Sequence, residues 1–98
     1  MEIEYADERL KRLAEEVNFD GGYHRAIVRA YRMRIQFIAA ALDERAFRAM
    51  KSLHFEKLKG DMDGLHSMRL NAQWRLILKF RKEKTGKLVM VISIMDYH

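Results

Sequence analysis

The chain has 98 residues, 49% of them hydrophobic, with no cysteine, no proline and a net charge of +5. That length suits one domain, and the apolar fraction is that of a folded chain, not a disordered one. Without cysteine, disulfides and thiolate metal sites are excluded, which is compatible with a reducing cytosol. No apolar run approaches the roughly 18 residues of a membrane span. The opening MEIEYADERL lacks the basic-then-apolar order of a secretory leader, so a cytoplasmic protein off the membrane is expected. The charge is uneven. Residues 1–20 hold seven acidic and three basic side chains, a net −4, and residues 21–98 hold seven acidic and sixteen basic, a net +9. Such a basic surface suits a polyanion, nucleic acid first, or an acidic protein.

In chain order, EIEY (2–5) alternates as a short strand does, and Asp7 is placed to cap a following helix. Leu10, Leu13, Ala14 and Val17 then recur at helical spacing, and Gly21 and Gly22 stop that helix. A longer helix is expected from about Tyr23 to Leu42, with Ile27, Tyr31, Ile35, Ile38 and Leu42 on its apolar face. Arg25, Arg29 and Arg32 fall on another face. They form either a solvated stripe or a surface for RNA or an acidic protein segment. Asp43 caps a restart that Phe47 and Met50 would anchor. After Gly60 the hydrophobic period changes to two. Met68 and Leu70 share one side of LHSMRL, with Ser67 and Arg69 on the other. Trp74, Leu76, Leu78 and Phe80 share one side of WRLILKF, with Arg75, Ile77 and Lys79 opposite. KEKTGK is a polar turn, and the apolar LVMVISIM (88–95) reads as an inner strand. The expected fold class is α+β: N-terminal helices packed on a small, mainly antiparallel sheet in a single domain spanning 1–98.

A loop of Asn71, Ala72 and Gln73 would set Leu70 opposite Trp74 and Met68 opposite Leu76, keeping the apolar side chains on one face. It also sets Arg69 beside Arg75 on the other face. Like charges so placed repel by up to about 1 kcal/mol, a cost that an anion between them would offset.

Leu58-Lys59-Gly60, Ser67, Arg69, Asn71, the Trp74-Arg75 pair and the closing Asp96-Tyr97-His98 occur in one order. That ordered set resembles the HigB branch of the RelE/ParE toxin superfamily, most clearly over residues 51–98. The resemblance implies a toxin of a type II toxin–antitoxin system. It implies a HigA-like helix-turn-helix antitoxin as partner, and an endoribonuclease that cleaves mRNA in the A site of the 30S subunit of the ribosome. It implies no cofactor and no metal. Its candidate site is Lys59, Arg69, Arg75, Asp96, Tyr97 and His98, with Lys57, Lys79, Arg25, Arg29 and Arg32 as further RNA contacts. One position departs from the pattern: where relatives carry a histidine three residues before the lysine of LKG, this chain has Glu56, with His54 two residues earlier. His54 and Glu56 are therefore weaker candidates.

These residue types suit RNA cleavage by the neighbouring 2′-OH. That reaction needs a base for the hydroxyl proton, positive charge on the crowded phosphate and an acid for the leaving 5′-oxygen. Lysine and arginine supply charge, arginine through a fork that matches two phosphate oxygens. Histidine exchanges protons near neutral pH. Asp96 could orient that imidazole or act as base, and Tyr97 could donate to phosphate or stack on a base. Acid and base are not distinguished by sequence. Taken singly, Arg69 and Arg75 read as ordinary solvent-face residues, Lys59 as a turn lysine, and Tyr97 and His98 as a frayed tail. Trp74 reads as core. His54, His66 and His98 with Asp96 lack metal-ligand spacing. Two other functions fit the same resemblance: a non-enzymatic inhibitor of DNA gyrase of the ParE type, and an inactive homologue that binds only its antitoxin.

Overall fold

The computed structural model describes residues 1–84 and 86–97. Strand β1 (Glu2–Tyr5) leads through a short turn into helix α1 (Glu8–Glu15). Asp7 starts that helix as expected, its carboxylate accepting the Leu10 N–H at 2.9 Å. Leu10 and Leu13 are buried. The helix ends earlier than its apolar spacing suggests: Glu16 is already extended, and Val17 is 79% exposed instead of facing the core. The cause lies on the next helix, α2 (Arg25–Ala40). Arg32 donates from Nε to the Leu13 carbonyl (2.9 Å) and from Nη2 to those of Glu16 (2.8 Å) and Phe19 (3.0 Å). One guanidinium thereby satisfies carbonyls that a finished helix leaves without partners.

Helix α2 buries Ile27, Val28, Tyr31 and Ile38, and the Tyr31 hydroxyl donates to the Leu10 carbonyl at 2.7 Å. Burial, with Tyr5 and Asp7 nearby, raises that phenol's pKa. The helix stops at Ala40 because Ala41 turns extended, so Leu42 is 95% exposed and outside the apolar face expected of it. Asp43 does organise the restart, accepting the Arg45 N–H at 2.9 Å ahead of helix α3 (Arg45–Ala49). Its bond to the Arg45 guanidinium holds its carboxyl down to about 2. Phe47 is fully buried, whereas Met50 is 42% exposed and anchors little. Met1's ammonium donates to the Ala39 (3.0 Å) and Ala41 (2.6 Å) carbonyls at the end of α2, where the helix dipole favours a cation.

After a single 3₁₀ turn (Lys51–Leu53) come β2 (Glu56–Lys57), β3 (His66–Arg69), β4 (Trp74–Glu83) and β5 (Gly86–Asp96). The sheet order is β1-β5-β4-β3-β2, with β1 parallel to β5 and the rest antiparallel. The meander and the added first strand are as expected; β2 was not foreseen. The register expected for the first hairpin holds, with Met68 opposite Leu76 and Arg69 opposite Arg75. Asn71 closes its turn by accepting the Gln73 and Trp74 N–H groups, both at 2.8 Å.

Helices cover only one face of the sheet. Met68, Leu70, Leu76, Leu78, Val89 and Val91 pack beneath them in one buried cluster with Leu13, Tyr31, Ile38, Phe47 and Leu53. A register shift after Ile77 matters here. Ile77 pairs with Ser93 but Leu78 pairs with Val91, which leaves Ile92 as the extra residue of a β-bulge. Without it, strand alternation would turn one end of LVMVISIM away from the core. With it, Val89, Val91 and Ile94 all pack inward, while Ser93 and Met95 join the opposite, uncovered face.

Candidate functional site

Residues paired across neighbouring strands share a face. On the uncovered face one row reads Glu56–Ser67–Ile77–Ser93 and the next Arg69–Arg75–Met95. Ser67 and Ile77 are each 1% exposed and form a buried floor, in which Ser67 Oγ has no partner among the described residues. The two arginines are half-buried beside it. No carboxylate is ion-paired to either arginine among the described residues. Instead each has its own holder.

Arg69 Nη1 lies 3.3 Å from His54 Nε2. A guanidinium only donates, so this ring nitrogen accepts and carries its lone pair toward the site. His54 is the only non-glycine residue at positive φ among those described (φ 46°, ψ 47°). That conformation costs on the order of 1 kcal/mol and needs neighbours that enforce it. Buried Leu53 before it and Phe55 after it, stacked on His66, supply the anchors. Arg75 Nη1 donates to the Asn71 carbonyl at 2.8 Å, and its guanidinium carbon lies 5.0 Å from the centre of the Tyr97 ring. The Tyr97 N–H bonds to the Gln73 carbonyl at 2.7 Å, so the chain after β5 is tied to the β3–β4 turn. From the helix layer, Arg34 Nε donates to the Arg69 carbonyl at 3.0 Å, and partial burial lowers the pKa of its guanidinium.

The sequence-derived candidates divide accordingly. Arg69, Arg75, Tyr97, His54 and Glu56 come together on the open face, and Lys79 shares that face one step along β4. Asp96 pairs with Trp74 and belongs to the other side of β5, where Gln73 Nε2 donates to both carboxylate oxygens at 3.1 Å. Lys57 pairs with His66, also on the other side. Lys59 is exposed in the loop after β2, before Gly60, whose φ of 68° only glycine adopts readily. Arg25 and Arg29 lie in the helix layer, away from the arginine pair, and Arg32 is committed to the end of α1. His98 lies outside the described residues. Sequence reasoning missed Gln73 and Arg34, whose roles depend on where two distant segments meet; neither has a local signature. Among the described residues, no three His, Asp or Glu side chains are grouped so as to hold a metal ion.

This fold, with helices on one side of the sheet, is shared with solved structures. A YoeB/ParE toxin from Agrobacterium tumefaciens is 19% identical with a TM-score of 0.59, each chain covered over 100% of its length. The toxin of a YoeB–YefM complex from Staphylococcus aureus is 18% identical (TM-score 0.58; 100% of this chain and 97% of that one). YafQ from E. coli is 15% identical (TM-score 0.57; 97% and 91%). At these identities the likeness is one of fold. No curated protein sequence matches the chain. The family model for HigB-like toxins, described as the RelE-like toxin of the type II toxin–antitoxin system HigB, matches residues 3–98. The chain belongs to that family.

Proposed function

We propose that this toxin is a ribosome-dependent endoribonuclease that cuts mRNA in the A site of the small subunit. The observation that carries this reading is the Arg69–Arg75 pair on the uncovered face, flanked by groups able to move protons. Attack of a 2′-OH on the adjacent phosphate forms the O2′–P bond and breaks the P–O5′ bond. The products are a 2′,3′-cyclic phosphate and a 5′-hydroxyl. Two guanidinium forks answer the charge that develops on the phosphorane oxygens. On the Arg69 side, the Glu56 carboxylate, and His54 once its Nε2 turns from Arg69 to the hydroxyl, are the groups able to take the 2′-OH proton. Tyr97, over Arg75, and His98 after it are the candidates for protonating the leaving oxygen. Lys59 and Lys79 add charge for the RNA backbone. Protein groups thus cover charge and proton transfer, and no metal or cofactor is assigned. The site of action is cytoplasmic, and the neutralising partner is a HigA-like antitoxin.

Primer extension on mRNA from cells making the toxin tests this reading. Cuts should appear within translated frames and vanish in Arg75→Ala, with in vitro cleavage lowered by about 100-fold or more. Lys59→Ala and deletion of His98 should relieve growth arrest, and cleavage should survive chelation of free metal as long as the ribosome stays intact. Growth arrest with inhibited gyrase supercoiling and uncut mRNA would overturn the nuclease reading in favour of a binding-only toxin.

A further inference from the structure

Away from the arginine pair, in the helix layer, the α1–α2 connection and the outer face of α2 enclose an open groove of about 500 Å³. Its walls combine exposed aliphatic side chains with cations. Val17 is 79% and Met33 54% exposed, two of only five large hydrophobic side chains so exposed among the described residues. Arg25 and Arg29 stand beside them with no partner among the described residues. The other charged groups here are already engaged. Arg32 holds the end of α1, and Asp20 Oδ1 accepts the Gly22 N–H of its own turn at 2.9 Å. The groove therefore presents aliphatic side chains with a net positive rim.

We propose that this groove seats an acidic amphipathic segment of the antitoxin, with apolar side chains on Val17 and Met33 and carboxylates toward Arg25 and Arg29. A protein segment fits better than RNA because the exposed apolar surface is aliphatic, whereas the two rings of the lining are half-buried and already engaged, Phe19 under the Arg12 guanidinium at 4.0 Å and Tyr23 edge-on to Trp74 at 5.9 Å. The volume suits a few side chains. The early end of α1 has a use on this reading: it is what turns Val17 outward. The inference rests on the antitoxin partnership proposed above and not on the nuclease assignment.

Calorimetric titration of the antitoxin encoded beside the toxin gene into full-length Arg75→Ala toxin gives a reference affinity. Adding Met33→Asp or Arg29→Glu should each weaken it at least tenfold, with thermal melts unchanged because both side chains are exposed or rim-placed. A carboxylate-to-arginine change in the antitoxin that restores binding to Arg29→Glu would fix the pairing. In cells, Met33→Asp in the otherwise native toxin should stay toxic and escape neutralisation. Wild-type affinity in both variants overturns the proposal. Lost toxicity in Arg29→Glu with antitoxin binding intact also overturns it and assigns the rim to ribosomal RNA. Failure of mRNA cleavage alone would strike the nuclease reading and leave these binding results standing.

Discussion

His54 and His66 lie close in sequence and meet opposite surroundings. His54 is exposed and gives its Nε2 lone pair to Arg69, whereas His66 is stacked 5.1 Å from Phe55 and edge-on 5.0 Å from Phe80. The Nδ1 of His66 is buried without a partner among the described residues. Burial first, then the cations of Arg48 and Lys57, pushes its pKa below the ordinary 6.5. The unfolded chain therefore takes up this proton at a higher pH than the folded one. The associated stability is fully present above 6.5 and is lost as pH falls through the folded value. Thermal melts between about pH 7.5 and about pH 5 should show the melting temperature dropping by a few degrees on the acid side. His66→Phe keeps a ring in the stack without the charge and should flatten that dependence. A variant as acid-sensitive as the parent would place the titration elsewhere. Neither environment was legible in HFEK or LHSM. A left-handed histidine between buried Leu53 and half-buried Phe55 has at most a weak sequence signature.

The β3–β4 hairpin was legible because its apolar pattern leaves a single register: Leu70, Trp74, Met68 and Leu76 can share a face only with Arg69 opposite Arg75. The bulge in β5 was not, since nothing within an almost unbroken apolar run marks which residue is extra. Strand β2 was invisible for a related reason, two exposed residues having no period to read. What the hairpin pattern leaves to a single side chain is the closing of the turn. Asn71 Oδ1 accepts two N–H groups, and the Asn71 carbonyl receives the Arg75 guanidinium at 2.8 Å. Asn71→Ala should lower unfolding stability in urea by about 1–2 kcal/mol, and Asn71→Asp, which keeps the acceptor, by much less. Equal losses in the two variants would show that the oxygen is not what holds the turn.

At the scale of the whole molecule, charge is sorted across the sheet. Acidic β1 is one edge strand, and the arginine pair lies on β3 and β4 toward the other. On the open face, Glu4 and Glu83 neutralise Arg81, at 3.4 and 2.8 Å, so positive potential there weakens toward β1. A polyanion approaching this molecule is steered to the β3–β4 end and held off the β1 edge. On the proposed reading, affinity for ribosomes should therefore fall steeply with salt, because each phosphate engaged releases condensed counterions. The dependence can be apportioned by residue. Arg75→Ala should reduce the log–log salt slope by about 1, as expected for one lost phosphate contact. Glu4→Gln, at the far edge, should leave the slope unchanged and raise affinity only slightly. A slope indifferent to Arg75 would mean that this guanidinium never meets phosphate, and its place over Tyr97 would then be purely structural.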